Sequence, residues 1–123
     1  MSATVPSSEL QLDELTRLMR EFTEQRDWAQ FQDPKSLILA LVGEVGELAE
    51  LFQWIPADGA VEHFSEPSRH TRAGEEIADV LLYLVRLADV LGIDLMAAAP
   101  AKQAAARTRF PVDAVQGRAP IKD

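Results

Sequence analysis

The sequence predicts an all-α domain, and three observations carry that expectation. Apolar residues recur three and four positions apart through residues 12–22, 37–52 and 77–88, the period of a helix with a buried face. Helix punctuation sits at the edges of these runs: Asp33 before Pro34, Gly92 after Leu91 and Asp94 just beyond. No segment alternates apolar and polar residues as a half-buried strand would. The length of 123 residues suits a single domain, and with 47% hydrophobic residues its core is real but small, so help from a second subunit is expected.

Each element follows in turn. Residues 1–7 read as a loose N-terminal arm. Ser8 and Gln11 have capping-box spacing, and a first helix runs to about Arg26 on Leu12, Leu15, Leu18, Met19 and Phe22. Asp27 to Gln32 is aromatic and irregular. Asp33 as N-cap and Pro34 at the first helical position start a second helix, expected to reach about Trp54. Residues 55–66 hold Pro, Gly and Asp and read as a loop. A third helix is expected from Pro67 to Leu91, with Gly92 as its C′ residue. Asp94 caps a fourth helix that Pro100 either kinks or pushes to a later start, because an interior proline removes a hydrogen bond. The chain from Phe110 reads as extended or disordered. The domain is therefore expected over residues 8–112, with a tail at 113–123 and three to four main helices.

Composition excludes several function classes. Twelve basic against twenty acidic residues give a net charge of −8, which argues against a nucleic-acid partner, since that needs a basic face. The chain has no cysteine, so disulfides, zinc-thiolate sites and thiol nucleophiles are excluded, and a reducing cytoplasm is the expected setting. The opening MSATVPSSELQLDEL lacks the basic and apolar regions of a signal peptide. The longest apolar run, Leu37 to Val42, is far short of the roughly 20 residues of a membrane span. There is no P-loop and no GxGxxG.

The informative stretch is GEVGELAELFQW, residues 43–54. At about 100° per residue, Glu44 and Glu47 share a helix face with Leu37, Ala40, Leu41, Leu48 and Leu51. Glu50 turns away toward solvent. The opposite side carries Ile38, Val42, Val45, Ala49 and Phe52, so this helix is apolar nearly all round and expected to be sandwiched. Gly43 and Gly46 weaken it by roughly 1 kcal/mol each relative to Ala, which suggests a close approach of another backbone or a ligand. The third helix repeats the device: Glu76 and Asp79 share a face with Arg72, Tyr83 and Arg86, while Ile77, Leu81, Leu84 and Ala88 form the expected core stripe. If the two helices are antiparallel neighbours, four carboxylates converge. They cannot all remain ionised and unpaired in an apolar setting, so either their pKa values rise or a cation neutralises them. Oxygen-only ligands favour Mg²⁺, with Mn²⁺ possible. A di-iron bundle would need Glu-x-x-His motifs, and neither His63 nor His70 stands three residues after a glutamate.

These residues resemble a known family. RDWAQF (26–31), GEVGELAELFQW (43–54) and EEIADVLLYL (75–84) are similar to the dCTP pyrophosphatase branch of the MazG-like all-α NTP pyrophosphatases, over residues 12–112. The superfamily pattern of ExxE followed by ExxD appears as Glu44-x-x-Glu47, 28 residues, then Glu76-x-x-Asp79. The resemblance implies Mg²⁺-dependent hydrolysis of a nucleoside triphosphate, dCTP or a modified pyrimidine deoxynucleotide, to the monophosphate and pyrophosphate. It implies that Glu44, Glu47, Glu76 and Asp79 hold the metal and act in catalysis, with Glu47 the foremost candidate for general base. By the same resemblance Trp28, Trp54 and Tyr83 line the nucleoside pocket, and Lys102 and Arg109 meet phosphates. The assembly implied is a homodimer or homotetramer whose neighbouring subunits complete the site.

The chain departs from the family pattern in specific places. FHxPKN is here Phe31-Gln32-Asp33-Pro34-Lys35-Ser36, so a histidine and an asparagine are missing. In KxxxNxxR(Y/F)P, carried by Lys102 to Pro111, Ala106 replaces the asparagine, and Pro100 lies just upstream. Some vertebrate members carry a histidine where this chain has Met19. An alternative reading follows from Ala106 and Pro100: a helical oligomer of the same fold that binds nucleotide or protein with weakened turnover.

Overall fold

A computed structural model describes residues 11–119 of the chain. Its helices are α1 (Leu12–Gln25), α2 (Pro34–Glu50), α3 (Ala60–His63), α4 (Pro67–Val90), α5 (Leu95–Arg109) and α6 (Val112–Val115), and there is no strand among the described residues. The all-α expectation holds, with four long helices and two single-turn ones.

Helix α1 begins after Gln11, whose carbonyl accepts from the Leu15 amide at 3.0 Å. Gln11 itself is the N-cap, and Ser8 lies outside the described residues. On the outer face Arg17 bridges Glu14 at 2.8 Å and Glu21 at 2.7 Å, an i±3/4 ladder on an exposed surface. The helix ends in a Schellman turn. The Trp28 amide donates to the Thr23 carbonyl at 3.0 Å and the Asp27 amide to the Glu24 carbonyl at 3.1 Å. Asp27 occupies the left-handed position with φ 54°, a conformation aspartate tolerates better than most residues. The irregular segment expected here contains one 3₁₀ turn, Ala29–Phe31.

Asp33 caps α2 as its sequence position implies, accepting from the Ser36 amide at 3.1 Å and the Ser36 hydroxyl at 2.6 Å. These hydrogen bonds hold its carboxyl below the usual range. The helix stops at Glu50, four residues short of the expected end at Trp54; Leu51 to Trp54 forms turns. The expected loop 55–66 contains a 3₁₀ turn, Ala57–Gly59, and α3, seated by Phe64 against Phe52 with ring centroids 4.5 Å apart. Glu66 caps α4 by accepting from the Ser68 and Arg69 amides. Gly92 closes α4 with φ +69°, and the Ile93 amide reaches the Ala88 carbonyl at 2.8 Å. Asp94 caps α5, which starts at Leu95 and runs through Pro100 without a later start. The tail expected to be extended instead folds one more helical turn, α6.

Helix α4 is the centre of the chain, packed against α2 on one side and α1 on the other, with α5 resting on α1. In α4, Ala73, Val85 and Ala88 are buried together with Glu76 and Arg86, and Leu37 is the buried residue of α2. The face of α4 turned inward is thus the one bearing Glu76 and Arg86. This reverses the expected orientation: Ile77 is 53% exposed in the single chain, and Leu81 and Leu84 are exposed with it. Only Ala88 of that stripe is buried. The rotation follows from polar anchoring. Arg86 donates to Gln32 at 2.8 Å and to Asp89 at 3.1 Å, and Asp89 takes a two-pronged pair from Arg20 of α1 at 2.9 and 2.6 Å. Helix α2 is likewise one-sided, with Leu37 buried and Ile38, Leu39, Val42 and Val45 bare. A Cβ at Gly43 or Gly46 would meet nothing within 4 Å, so the close approach expected there does not come from the described residues. No helix among the described residues is long and apolar enough to cross a membrane.

Candidate functional site: a carboxylate cluster beside an aromatic cavity

Helices α2 and α4 run antiparallel, because their contacts occur in opposite order. Glu44 and Glu47, late in α2, meet Glu76, early in α4, while Gln32, just before α2, meets Arg86 further along α4. This register brings one carboxylate oxygen from each of Glu44, Glu47 and Glu76 within 4.8 Å of one another. Glu76 is buried; its Oε1 accepts from the Arg72 Nε at 3.1 Å, and its Oε2 is buried without a partner. The Oε2 of Glu44 is in the same condition.

Burial pushes the Glu44 carboxyl above its ordinary pKa, and the negative charges of Glu47, Asp79 and Glu76 push it further. Asp79 stands outside the tight trio yet close enough to be felt by Glu44. Glu47 is the open member, on the solvent side of the trio, and Glu50 is exposed as expected. Two buried oxygens without donors, in a set made only of carboxylates, fit a hard divalent cation. Arg72 supplies one positive charge to four acids, which leaves most of the repulsion for such an ion to offset.

Asp79 also faces the other half of the site. It lines a cavity of ≈ 140 Å³ together with Met19, Phe22, Trp28, Gln32 and Tyr83. A second cavity of ≈ 220 Å³ shares Trp28, Gln32 and Tyr83 with it and is also lined by Phe31 and Ser36. The Schellman turn after α1 aims Trp28 here, and Phe22 supports it edge-on, with ring centroids 5.6 Å apart and planes at 77°. Trp28 remains 46% exposed, an aromatic face open to a ligand. Phe31 is exposed and lines the second of these cavities.

The remaining sequence candidates are not gathered in. Trp54 is 85% exposed in the turns after α2, away from Trp28 and Tyr83. Lys102 and Arg109 are exposed on α5, whose main packing is against α1. Sequence reasoning missed the Arg72–Glu76 pair, although both residues sit on one face four apart. It also missed that Gln32 and Ser36 line the cavity, although both positions stand out as departures from the family pattern.

Comparison with known proteins is consistent with this arrangement. The sequence profile of the MazG-like family matches residues 39–115, a span that contains all four acidic residues.

The chain belongs to the MazG-like family.

Among its relatives is dCTP pyrophosphatase 1 of Bos taurus, 46% identical over 113 residues, covering 92% of this chain and 67% of that protein. The Homo sapiens dCTP pyrophosphatase 1 is 46% identical over 105 residues, covering 85% of this chain and 62% of its own length. The chain thus spans about two thirds of these MazG-like relatives. A solved pyrophosphatase from Archaeoglobus fulgidus superposes with a TM-score of 0.75 at 34% identity, covering 88% of this chain and 99% of that one.

Proposed function

We propose that this MazG-like chain hydrolyses a nucleoside triphosphate, dCTP or a modified pyrimidine deoxynucleotide, to the monophosphate and pyrophosphate. The observation that carries the reading is the adjacency of two halves. The trio Glu44, Glu47 and Glu76, with orphaned buried oxygens, opens through Asp79 onto an aromatic cavity. An acidic protein needs a cation to hold a polyphosphate, and it needs a flat apolar pocket to hold a base. Relatives named dCTP pyrophosphatase 1 support the substrate class.

Glu44, Glu47, Glu76 and Asp79 would hold Mg²⁺, or Mn²⁺ in its place. When bound, the ion supplies Lewis-acid polarisation of phosphate oxygens and offsets the carboxylate repulsion. Glu47, the most open carboxylate, takes the proton from the attacking water. Arg72 fixes Glu76. Trp28 and Tyr83 seat the base and exclude water from one side of it. Trp54, Lys102 and Arg109 reach a site only in an assembly, as a homodimer or homotetramer in which a neighbouring subunit supplies them. The cysteine-free chain suits work in the cytoplasm, house-cleaning the nucleotide pool.

The test is incubation with a panel of NTPs and dNTPs, with and without Mg²⁺, scoring monophosphate and pyrophosphate. Turnover that needs Mg²⁺ and collapses in Glu47→Ala is the expected result. No turnover of any nucleotide, with wild type equal to Glu47→Ala, overturns it in favour of a binding oligomer, the reading Ala106 and Pro100 suggest.

A further inference from the structure

Gln32 occupies an unusual position. It lines both aromatic cavities, together with Trp28 and Tyr83. Its side chain is anchored from behind: the buried Arg86 donates its Nε to Gln32 Oε1 at 2.8 Å. Arginine has donors only, so the oxygen of the carboxamide is the atom that must face it. That settles which end of the amide is which. The NH₂ group is the end left over, and among the described residues it donates to no acceptor. Nor is it sealed in, since the buried polar atoms that lack partners are those of Thr23, Glu44 and Glu76. Arg86 is itself held by Asp89, which Arg20 grips in turn. The donor is therefore fixed by a chain of charged groups spanning α1 and α4 and cannot flip to offer its oxygen without stranding Arg86.

Resting on the nucleotide reading above, we infer that Gln32 is the specificity-determining residue for the base, its NH₂ selecting a cytosine-type ring over thymine or uracil. A fixed NH₂ is best satisfied by adjacent acceptors. Cytosine offers two, the unprotonated ring nitrogen N3 and the carbonyl O2. Thymine and uracil carry N–H at N3, so the same approach sets donor against donor. A buried polar mismatch of this kind discriminates far more sharply than shape does, and tenfold or more between the two bases is expected. Nearby Ser36 does not compete for this role, because its hydroxyl is spent on Asp33 at 2.6 Å.

Two variants separate recognition from folding. Gln32→Glu keeps the length and the acceptor for Arg86 and removes both N–H groups. Gln32→Met keeps the length and removes all polarity. Steady-state rates on dCTP and dUTP are measured for each with Mg²⁺, alongside calorimetric binding of dCMP and dUMP and melting temperature. The wild type should favour the cytosine nucleotide at least tenfold. Both variants should lose about tenfold of that preference, expressed in KM and in monophosphate affinity rather than kcat, with Gln32→Glu melting within a few degrees of wild type. An unchanged dCTP-to-dUTP ratio in both variants overturns the inference and leaves the hydrolytic reading standing. A dCMP preference that Gln32→Glu abolishes, with no triphosphate turned over, does the reverse. Failure of both monophosphates to bind the wild type overturns the inference too.

Discussion

At the scale of single residues, the site is defined by acids that the fold sets against one another. Glu44 has a raised pKa because burial and three neighbouring carboxylates oppose its charge, so at neutral pH its ionised form works against folding. Glu44→Gln should therefore leave the metal-free protein as stable as wild type, or raise its melting temperature by about a few degrees. The same change should cut turnover by about a hundredfold or more and abolish the thermal shift produced by Mg²⁺ with nucleotide. Differential scanning fluorimetry with a pyrophosphate assay reads both. Asp89 behaves in the opposite sense. The hydrogen bond from Arg20 lowers its pKa, burial opposes that lowering, and the charges of Arg20 and Arg86 add to it. A lowered folded-state pKa contributes stability that is complete above the unfolded value near 4 and is lost as pH falls through the folded value. Asp89→Asn should cost about 1–3 kcal/mol at pH 7, and the gap from wild type should close as pH drops below about 4. Urea midpoints at pH 7 and pH 3 check it; a gap that persists at low pH would mean the carboxylate's charge is not what Arg20 and Arg86 require.

At the scale of elements, helix ends were legible in the sequence because capping chemistry is local. Asp33, Gly92 and Asp94 fill the roles their neighbours imply, since each acts on amides or carbonyls a few residues away. The rotation of α4 was not legible. Its most apolar stripe is Ile77, Leu81 and Leu84, and periodicity alone assigned that stripe inward against the face of Arg72, Glu76, Asp79 and Arg86. What turns it is the link from Gln32 through Arg86 and Asp89 to Arg20, whose partners are 54 and 69 residues apart. Helix α5 teaches a related lesson. Its interior Pro100 suggested a break, yet Asp94 caps a helix that continues through it. The proline leaves the Met96 carbonyl without its usual amide partner. On an exposed helix that loss should be recoverable: Pro100→Ala is expected to stabilise the protein by about 1–3 kcal/mol, read as a higher urea midpoint with unchanged slope. A lower midpoint would mean that the proline makes a contact with a second subunit that the single chain does not contain.

At the scale of the whole molecule, the carboxylate cluster was readable from spacing because ExxE and ExxD place their acids by helix geometry alone. Where Trp54, Lys102 and Arg109 lie was not, because helix spacing fixes neighbours only within an element, and these three are not gathered to the cavity that Trp28 and Tyr83 line. Trp54, Lys102 and Arg109 stand in solvent, and so does a broad apolar surface. Val42 is 64% exposed, and Ile38, Leu39, Val45, Ile77, Leu81 and Leu84 are bare on α2 and α4. These two helices also form the inner seam, so the bare residues are continuous with the elements that carry the acids. Covering the exposed remainder of each such side chain stabilises by roughly 1 kcal/mol, and a monomer would forgo that gain. A second copy of the chain is the expected occupant, since the same surface would supply both sides of a symmetric contact. The wild type should then sediment as a dimer or tetramer at micromolar concentration, with a melting temperature that rises with protein concentration. Leu81→Glu places a charge in the middle of the stripe, where it would be buried without a partner. It should sediment at monomer mass, lose the concentration dependence of melting, and lose tenfold or more of its turnover, because Trp54 and the α5 cations would no longer be presented across the interface. A wild type that is monomeric at micromolar concentration yet fully active would sink this account, since those three residues would then have no way to reach the nucleotide.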